Sequence, residues 1–411
     1  MQEWEDGNMP GMPVSSSEPS GAANAAASPA AIGVVGGGQL ALMLAEAAEA
    51  IGISVHVQTP SAHDPAVSCA GSLVQADLGD ARATAELARR CQAITFENEW
   101  LNLSALQGLA ASGVRFVPSL EALEPLLSKR RQRALLEQLR LPSPRWCDLP
   151  LRGETLPAWM GFPLMAKADS GGYDGKGTAL IHNRSDLAAL VRRIGAAEWY
   201  LEELVAFDHE LAITVARDSS GQVEVWPLAL THQHRQVCDW VVTPAPVSHA
   251  VQAFARNIAR SLVTALDYVG VLTVELFYGP AGLQVNEIAP RTHNSAHITI
   301  ETSHTSQFTQ QARIVAGWPL ANPAPKLSGG LMLNLLGYQN DNDDNLEPRQ
   351  ALAALPGARV HWYGKAGPSL GRKLGHVTLP LEQTSPEARM EEAGELIRRV
   401  RSIWPLPPDS L

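Results

Sequence analysis

Apolar positions change period several times along the chain, and each change predicts a different element. They run unbroken from Ile32 to Val35, give way to Gly36-Gly37-Gly38, then recur with helical spacing from Gln39 to Ala50. That succession reads strand, tight turn, helix. Further apolar runs predict strands at Ile53–Val57, Ala93–Phe96 and Val114–Val117, with helices at Asp80–Arg90 and Ser104–Ala111 between them. Strands alternating with helices imply a doubly wound parallel sheet over residues 31–120. A helical stretch reaching Leu139 stops at Leu141-Pro142-Ser143-Pro144.

Beyond this point the grammar is α+β. Strands are predicted at Phe162–Lys167, Trp199–Val205, Glu210–Arg217 and Val223–Leu230, with a hairpin turn at Ser219-Ser220-Gly221. A helix capped by Ser185 covers Ser185–Ile194, and another spans Ser248–Leu266 ahead of two apolar strands, Val271–Tyr278 and Leu283–Ile288. These elements form a second domain at 121–317. A smaller third region, 318–411, contains the polar loop Asn340 to Asn345.

Composition narrows the class. The chain has 411 residues, enough for two or three domains with cores of their own. Its 32 basic and 42 acidic residues give a net charge of −10, which argues against nucleic-acid or anionic-membrane binding. No apolar run is long enough to span a bilayer. Four scattered cysteines without a C-x-x-C pair read as reduced thiols of a cytoplasmic protein. Residues 1–30, rich in Ser, Ala, Gly and Pro, read as a disordered tail, since their acidic start fits neither a signal nor a transit peptide.

Three motifs carry chemistry. Gly36-Gly37-Gly38-Gln39-Leu40-Ala41 places free N–H groups and a positive dipole end where a phosphate could sit. A nicotinamide dinucleotide is disfavoured, because Val57-Gln58-Thr59 lacks the ribose-binding carboxylate. Glycines needed only for a tight turn remain an alternative. Ser170-Gly171-Gly172-Tyr173-Asp174-Gly175-Lys176-Gly177 carries four glycines in eight residues. Each would cost a core element about 0.5–1 kcal/mol, so the loop reads as mobile backbone that approaches an anion, helped by Lys176 and by Lys167 on the preceding strand. Lys176 precedes Gly177, so this is not a Walker A loop.

The third motif is a pair of carboxylates. Glu275 and Glu287 each interrupt an apolar strand. A three-residue loop with Gly282 left-handed pairs Gly279 with Leu283 and brings the two carboxylates opposite each other. Two ionised groups so placed repel unless a cation joins them, and hard oxygen ligands suit Mg²⁺; a pair of salt-bridged glutamates is the alternative. His293 and His297 have i, i+4 spacing, but Asn294 stands where a zinc protease needs glutamate. The polar run after Glu287 therefore reads as substrate contact.

With these residues in view the chain resembles the ATP-grasp superfamily, and within it the family of the 5-(carboxyamino)imidazole ribonucleotide synthases of purine biosynthesis. The match runs from Ala31 to Leu379 through GGGQL (36–40), FENE (96–99), GGYDGKG (171–177), VELF (274–277), NEIAPRTHNSAH (286–297), HWYGK (361–365) and GRKLGH (371–376). It implies a pre-ATP-grasp domain, a two-part ATP-grasp domain and a small C-terminal domain. It implies that Lys129, where the family usually has arginine, and Lys167 meet ATP phosphates under the Gly171–Gly177 flap. Glu202, Glu203, Leu204, Val205, Glu210, Gln233 and Asn286 then fall at the nucleotide, and Glu275 and Glu287 at Mg²⁺. Arg291 falls near bicarbonate and a carboxyphosphate, with Asp174 as a candidate base beside Tyr173. Gly38, Gln39, Leu40, Glu97, Asn98, Glu99, Tyr173, His293, Asn294, Ser295, Lys365 and Arg372 fall around the ribonucleotide, Lys365 among the catalytic group as well.

The implied reaction joins bicarbonate to 5-aminoimidazole ribonucleotide with ATP, giving N5-carboxyaminoimidazole ribonucleotide, ADP and phosphate. The implied assembly is a homodimer. Ala41-Leu42 replaces the family's Gly-Arg, Gln233 a histidine and Gln58 a frequent aspartate. Two other readings stay open here: an ATP-grasp ligase for a different carboxylate, and a non-catalytic nucleotide-binding regulator.

Overall fold

The computed structural model describes residues 30–150, 155–171, 177–194, 199–339, 344–365, 367 and 369–408. The expected N-terminal tail and most of the polar loop at 340–345 lie outside them. Among the described residues no helix is long and apolar enough to cross a membrane, and no disulfide joins any of the four cysteines.

The first sheet joins β1 (Ala31–Val35), β2 (Ser54–Thr59), β3 (Ser72–Gln75) and β4 (Ala93–Phe96) in the order β3-β2-β1-β4, all parallel. The parallel sheet is as expected, with two differences. β3 has no counterpart in the hydrophobic pattern, because only Val74 of its four residues is buried. The strand expected at Val114–Val117 shrinks to one bridge between Phe116 and Ile94, since Pro118 follows with no N–H to extend a ladder. The helix Gln39–Glu49 starts immediately after Gly38, and its buried face of Leu40, Leu44 and Ala48 anchors it to the sheet.

A small antiparallel sheet follows: β5 (Trp146–Asp148), β6 (Leu164–Ala168), β7 (Thr178–Ile181) and β8 (Trp199–Glu203), in the order β5-β8-β6-β7. Leu164, Ala166, Ile181, Leu187, Leu190 and Leu201 give it a core of its own. Its helix begins at Arg184, one residue before the predicted start. The cap is Asn183 rather than Ser185, with Oδ1 accepting the N–H groups of Ser185 and Asp186 at 2.8 and 3.0 Å.

The large sheet contains β9 (His209–Arg217), β10 (Val223–Val225), β11 (Ala229–His234), β12 (Val237–Thr243), β13 (Gly270–Gly279), β14 (Gly282–Ala289), β15 (Gly329–Leu336), β16 (Arg359–Trp362) and β17 (Lys373–Leu381). Its order is β14-β13-β9-β11-β12-β15-β17-β16, with β10 beside β9. The single strand expected at Val223–Leu230 divides around Pro227 into β10 and β11. The C-terminal strands extend this same sheet through the β12–β15 pairing, Trp240 opposite Leu333. Val271, Leu272 and Val274 of β13 are fully buried, each worth about 1.5–3 kcal/mol, so the strand that carries Glu275 is firmly fixed.

Candidate active site

The glycine turn after β1 meets the end of β4, its neighbour in the sheet. There Glu97 turns its carboxylate onto the start of the Gln39–Glu49 helix, accepting the N–H groups of Gly38 at 2.7 Å, Leu40 at 3.1 Å and Ala41 at 3.4 Å. The phosphate expected at this turn is thus replaced by an internal carboxylate that already uses the helix's free donors. Gly36, at φ +129°, is required by the same approach, because a Cβ there would lie 2.3 Å from the Glu97 Cβ. Burial raises the Glu97 pKa above the usual carboxylate range against the pull of those three N–H groups. Gln58, the departure from aspartate, is buried and structural: it donates to Asp77 O at 2.8 Å and accepts from the Thr84 hydroxyl at 2.8 Å.

On the other side of the cleft, Glu275 stands directly opposite Glu287, as the sequence predicts, but by a different route. The turn pairs Gly279 with Gly282, not with Leu283, and a bulge beyond Leu276–Val285 inserts Asn286 and restores the register. Gly282 is left-handed as expected, at φ +82°. Burial raises the Glu275 pKa, and Glu287 and Glu210 push it further up. Burial also raises Glu287, but Lys129, 2.9 Å from its Oε2, more than offsets this. Two facing carboxylates driven in opposite directions form a donor set that a divalent cation evens out, and their hard oxygens suit Mg²⁺.

Cations and carboxylates interlock behind this pair. Lys167 Nζ lies 2.7 Å from Glu202 and 3.0 Å from Oδ1 of the bulged Asn286. Arg133, 1 % exposed, bonds the other Glu202 oxygen and donates to Val285 O at 2.9 Å. Burial raises the Glu202 pKa, yet Arg133 and Lys167 outweigh it and hold the group down at about 2. Glu202 is therefore a strut between two cations. Arg133 was missed in the sequence. Its signal was spacing, for Lys129, Gln132, Arg133 and Leu136 share one face of the helix Lys129–Gln138, and the last three of these are buried. Asp169 was missed too; it accepts the Ser128 hydroxyl at 2.6 Å and Arg130 N at 2.8 Å, fixing the start of that helix.

Arg291 forks onto Glu99, with bonds of 2.6 and 3.2 Å, which ties FENE to the run after Glu287. His293 Nε2 lies 3.4 Å from Glu275, and burial, with Arg291 and Lys373 adding, lowers its pKa to about 3, so it stays neutral. His297 points elsewhere, to the Gln307 amide at 3.0 Å, so the two histidines do not converge. Asn294 exchanges amide bonds of 2.9 and 2.8 Å with Asn334, and the Ser295 hydroxyl lies 2.9 Å from His293 Nδ1. These bonds of Asn294 and Ser295 brace the loop. Asn98 Oδ1 accepts Trp100 N at 3.0 Å.

At the rim, Glu203 pairs with Arg145 at 3.0 Å, and Leu204 is exposed just beyond it, with Val205 following. Burial raises the Glu210 pKa, opposed by His232 and by a hydrogen bond to Gln233, so the residue in the family's histidine position reaches the same carboxylate. The glycine loop is the tip of the β6–β7 hairpin, with Gly171 and Gly177 left-handed at φ +74° and +84°. Gly172, Tyr173, Asp174, Gly175 and Lys176 lie outside the described residues. Lys365 Nζ sits 5.5 Å from the Tyr363 ring centroid, just past β16, and Arg372 immediately precedes β17, so one hairpin carries both.

Three family profiles match along the chain: a ribonucleotide synthetase preATP-grasp domain at residues 30–125, an ATP-grasp domain at 134–308, and a phosphoribosylaminoimidazole carboxylase C-terminal domain at 330–389. The N5-carboxyaminoimidazole ribonucleotide synthase of Synechococcus elongatus is 48 % identical over 379 residues, covering 92 % of this chain and 96 % of that protein. The chain belongs to this family of ATP-grasp ligases. The Synechocystis member is 43 % identical over 91 % of this chain and 97 % of its own. An ADP complex of an N5-carboxyaminoimidazole ribonucleotide synthetase superposes with a TM-score of 0.82 at 29 % identity, covering 92 % of this chain and 98 % of that one. The Aspergillus clavatus enzyme in complex with ADP and 5-aminoimidazole ribonucleotide gives 0.80 at 29 %, covering 90 % and 99 %.

Proposed function

We propose that the chain carboxylates 5-aminoimidazole ribonucleotide with bicarbonate and ATP, through a carboxyphosphate, giving N5-carboxyaminoimidazole ribonucleotide, ADP and phosphate. The observation that carries this reading is Glu275 facing Glu287 in register, with Lys129 on Glu287 and Lys167 on the adjoining bulge. Bicarbonate is a poor electrophile, and phosphorylation converts it into a species that delivers carbon dioxide to a weak amine nucleophile.

Positioning and charge neutralisation are what the residues supply. Lys129 and Lys167 sit where transferred phosphoryl oxygens gain cationic donors, each held by a carboxylate that sets its direction. Glu275 and Glu287 would hold Mg²⁺, which when bound neutralises phosphate charge. Arg291, oriented by Glu99, offers a fixed guanidinium to the bicarbonate carboxylate. Neutral His293 packs beside Glu275 without adding charge. The β6–β7 tip, with Tyr173, Asp174 and Lys176, closes over the phosphates and excludes water. Lys365 and Arg372 hold the ribonucleotide phosphate. The protein acts in the cytoplasm as a homodimer.

The test is ADP formation by the full chain with Mg²⁺ and bicarbonate, with and without 5-aminoimidazole ribonucleotide. ADP release that rises with the ribonucleotide supports the reading. Release stimulated instead by an amino acid or by formate assigns a different carboxylate, and no release at all leaves a nucleotide-binding regulator.

A further inference from the structure

Outside this cleft, the β16–β17 hairpin brings a second set of metal-binding side chains together. His361 lies directly opposite His376 across the ladder, and the two rings stack with centroids 4.5 Å apart and planes 13° from parallel. Glu301, on the short helix Thr299–Thr302, brings Oε1 to 2.8 Å from His361 Nε2. Counting one ligand atom from each residue, the three atoms lie within 4.8 Å of one another. A tetrahedral ion with bonds of about 2.0–2.1 Å spaces its donors about 3.3 Å apart, so side-chain movements of roughly 1 Å close the set.

A hydrogen-bonded His–Glu pair alone would explain His361 and one oxygen of Glu301. It leaves the rest of the cluster unaccounted for. His376 is fully buried, and its Nε2 has no hydrogen-bond partner among the described residues; the same holds for the buried Oε2 of Glu301. Leaving such atoms dry and unpaired is unfavourable. His376 Nδ1 is already taken, 2.8 Å from the Tyr363 hydroxyl. When this nitrogen carries the proton and donates to the phenol oxygen, Nε2 presents its lone pair, the arrangement in which an outer partner fixes a metal-binding imidazole. His297 stacks against His376 with ring centroids 5.2 Å apart, but it is not among the three residues whose donor atoms converge. The side chains of His361 and Glu301 are 25 % and 16 % exposed, which gives an ion a route in.

We propose that Glu301, His361 and His376 form a second divalent-metal site, distinct from the Glu275–Glu287 pair, that takes Zn²⁺ or a similar imidazole-preferring ion. Two imidazoles and one carboxylate suit such ions and do not suit Mg²⁺. Three protein ligands leave the fourth position to water. The ion fastens the hairpin carrying Lys365 and Arg372 to the segment that follows His297, and so sets the stance of the ribonucleotide clamp.

The test uses the full chain, stripped with a chelator and titrated with Zn²⁺ alone in the absence of nucleotide, with Co²⁺ as a visible-absorption probe of tetrahedral ligation. One saturable equivalent is expected in the native chain and in Glu275→Gln. Affinity should fall at least about 100-fold in His361→Ala and at least about tenfold in Glu301→Gln. Both replaced side chains are partly exposed, and circular dichroism checks that each variant is folded. The proposal is overturned if the native chain binds no Zn²⁺, if both variants bind it as the native chain does, or if Glu275→Gln alone removes the binding.

Discussion

Glu97, half-buried, and Glu202, buried, are carboxylates held in opposite ways. Glu97, at the end proposed for the ribonucleotide, rests on backbone N–H groups at the start of a helix. Glu202, at the end proposed for ATP, lies between the side-chain cations Arg133 and Lys167. Backbone donors are partial charges that do not fully offset burial, so the Glu97 pKa stays raised. Full charges do more than offset it, and Glu202 is held at about 2. One end of the cleft is thus organised by a carboxylate that tolerates a proton, the other by one that must stay ionised.

The largest way to break this contrast is Glu202→Gln. It leaves Arg133 and Lys167 buried without a counter-charge, and removing one partner of such a network costs about 3–5 kcal/mol. The pH dependence has a definite sign. A carboxylate lowered from 4.5 to about 2 stabilises the fold fully above pH 4.5, and that contribution is lost as pH falls from 4.5 through 2. Urea midpoints should therefore show a large gap between native chain and variant at pH 7 that narrows only in the acid window. A gap that stays constant down to pH 2 would mean that the cations do not hold Glu202 ionised.

Next in size is the metal pair. Glu275→Gln and Glu287→Gln should leave the chain folded and lower turnover at least about 100-fold, the scale for losing one group that stabilises developing charge. Near-normal turnover of both variants in limiting Mg²⁺ would remove the metal assignment.

Much of this end was legible in sequence, because a hairpin is local. Glu275 and Glu287 lie 12 residues apart, and the apolar run around each reports its face. Even so, the predicted turn was one residue too long and the unpredicted bulge at Asn286 compensated. The Glu97 end was only half legible. The glycines and the helix start were plain, but their partner lies 59 residues beyond Gly38 and reaches it only because β4 pairs with β1. The extension of the large sheet by β15, β17 and β16 was hidden for the same reason, since no local pattern encodes the pairing of Trp240 with Leu333. Arg133 follows a Lys129-Arg130-Arg131 run that resembles a solvated face, and only its i+4 relation to Lys129 and its place beside Gln132 mark it as buried.

Lys365→Ala and Arg372→Ala come third and sharpen the division between the two ends. Each should raise the KM for 5-aminoimidazole ribonucleotide about tenfold, roughly 1.4 kcal/mol, with the KM for ATP little changed. Equal losses for both substrates, or none, would mean that the β16–β17 hairpin does not serve the ribonucleotide end alone.

The smallest effect on stability is expected from Glu97→Gln, and its sign makes it informative. The amide oxygen can still accept from the helix start, and the donors it fails to reach are near enough to the cleft for water to serve them. The net cost of such an exchange is about 1 kcal/mol or less. Against it stands a gain, because the variant no longer carries a charge that burial disfavours. A carboxyl whose folded pKa lies above 4.5 weakens the fold at all pH values above that folded pKa, and the penalty vanishes below 4.5. As pH falls from 7 toward 4.5, the native chain should therefore gain on Glu97→Gln in urea midpoint, whereas below 4.5 it loses ground against Glu202→Gln. If instead the native chain holds level with Glu97→Gln from pH 7 to 4.5 and loses ground only below 4.5, the carboxylate is stabilised by its three N–H donors as Glu202 is by its cations. Backbone and side-chain charge would then be equivalent supports at the two ends of the cleft.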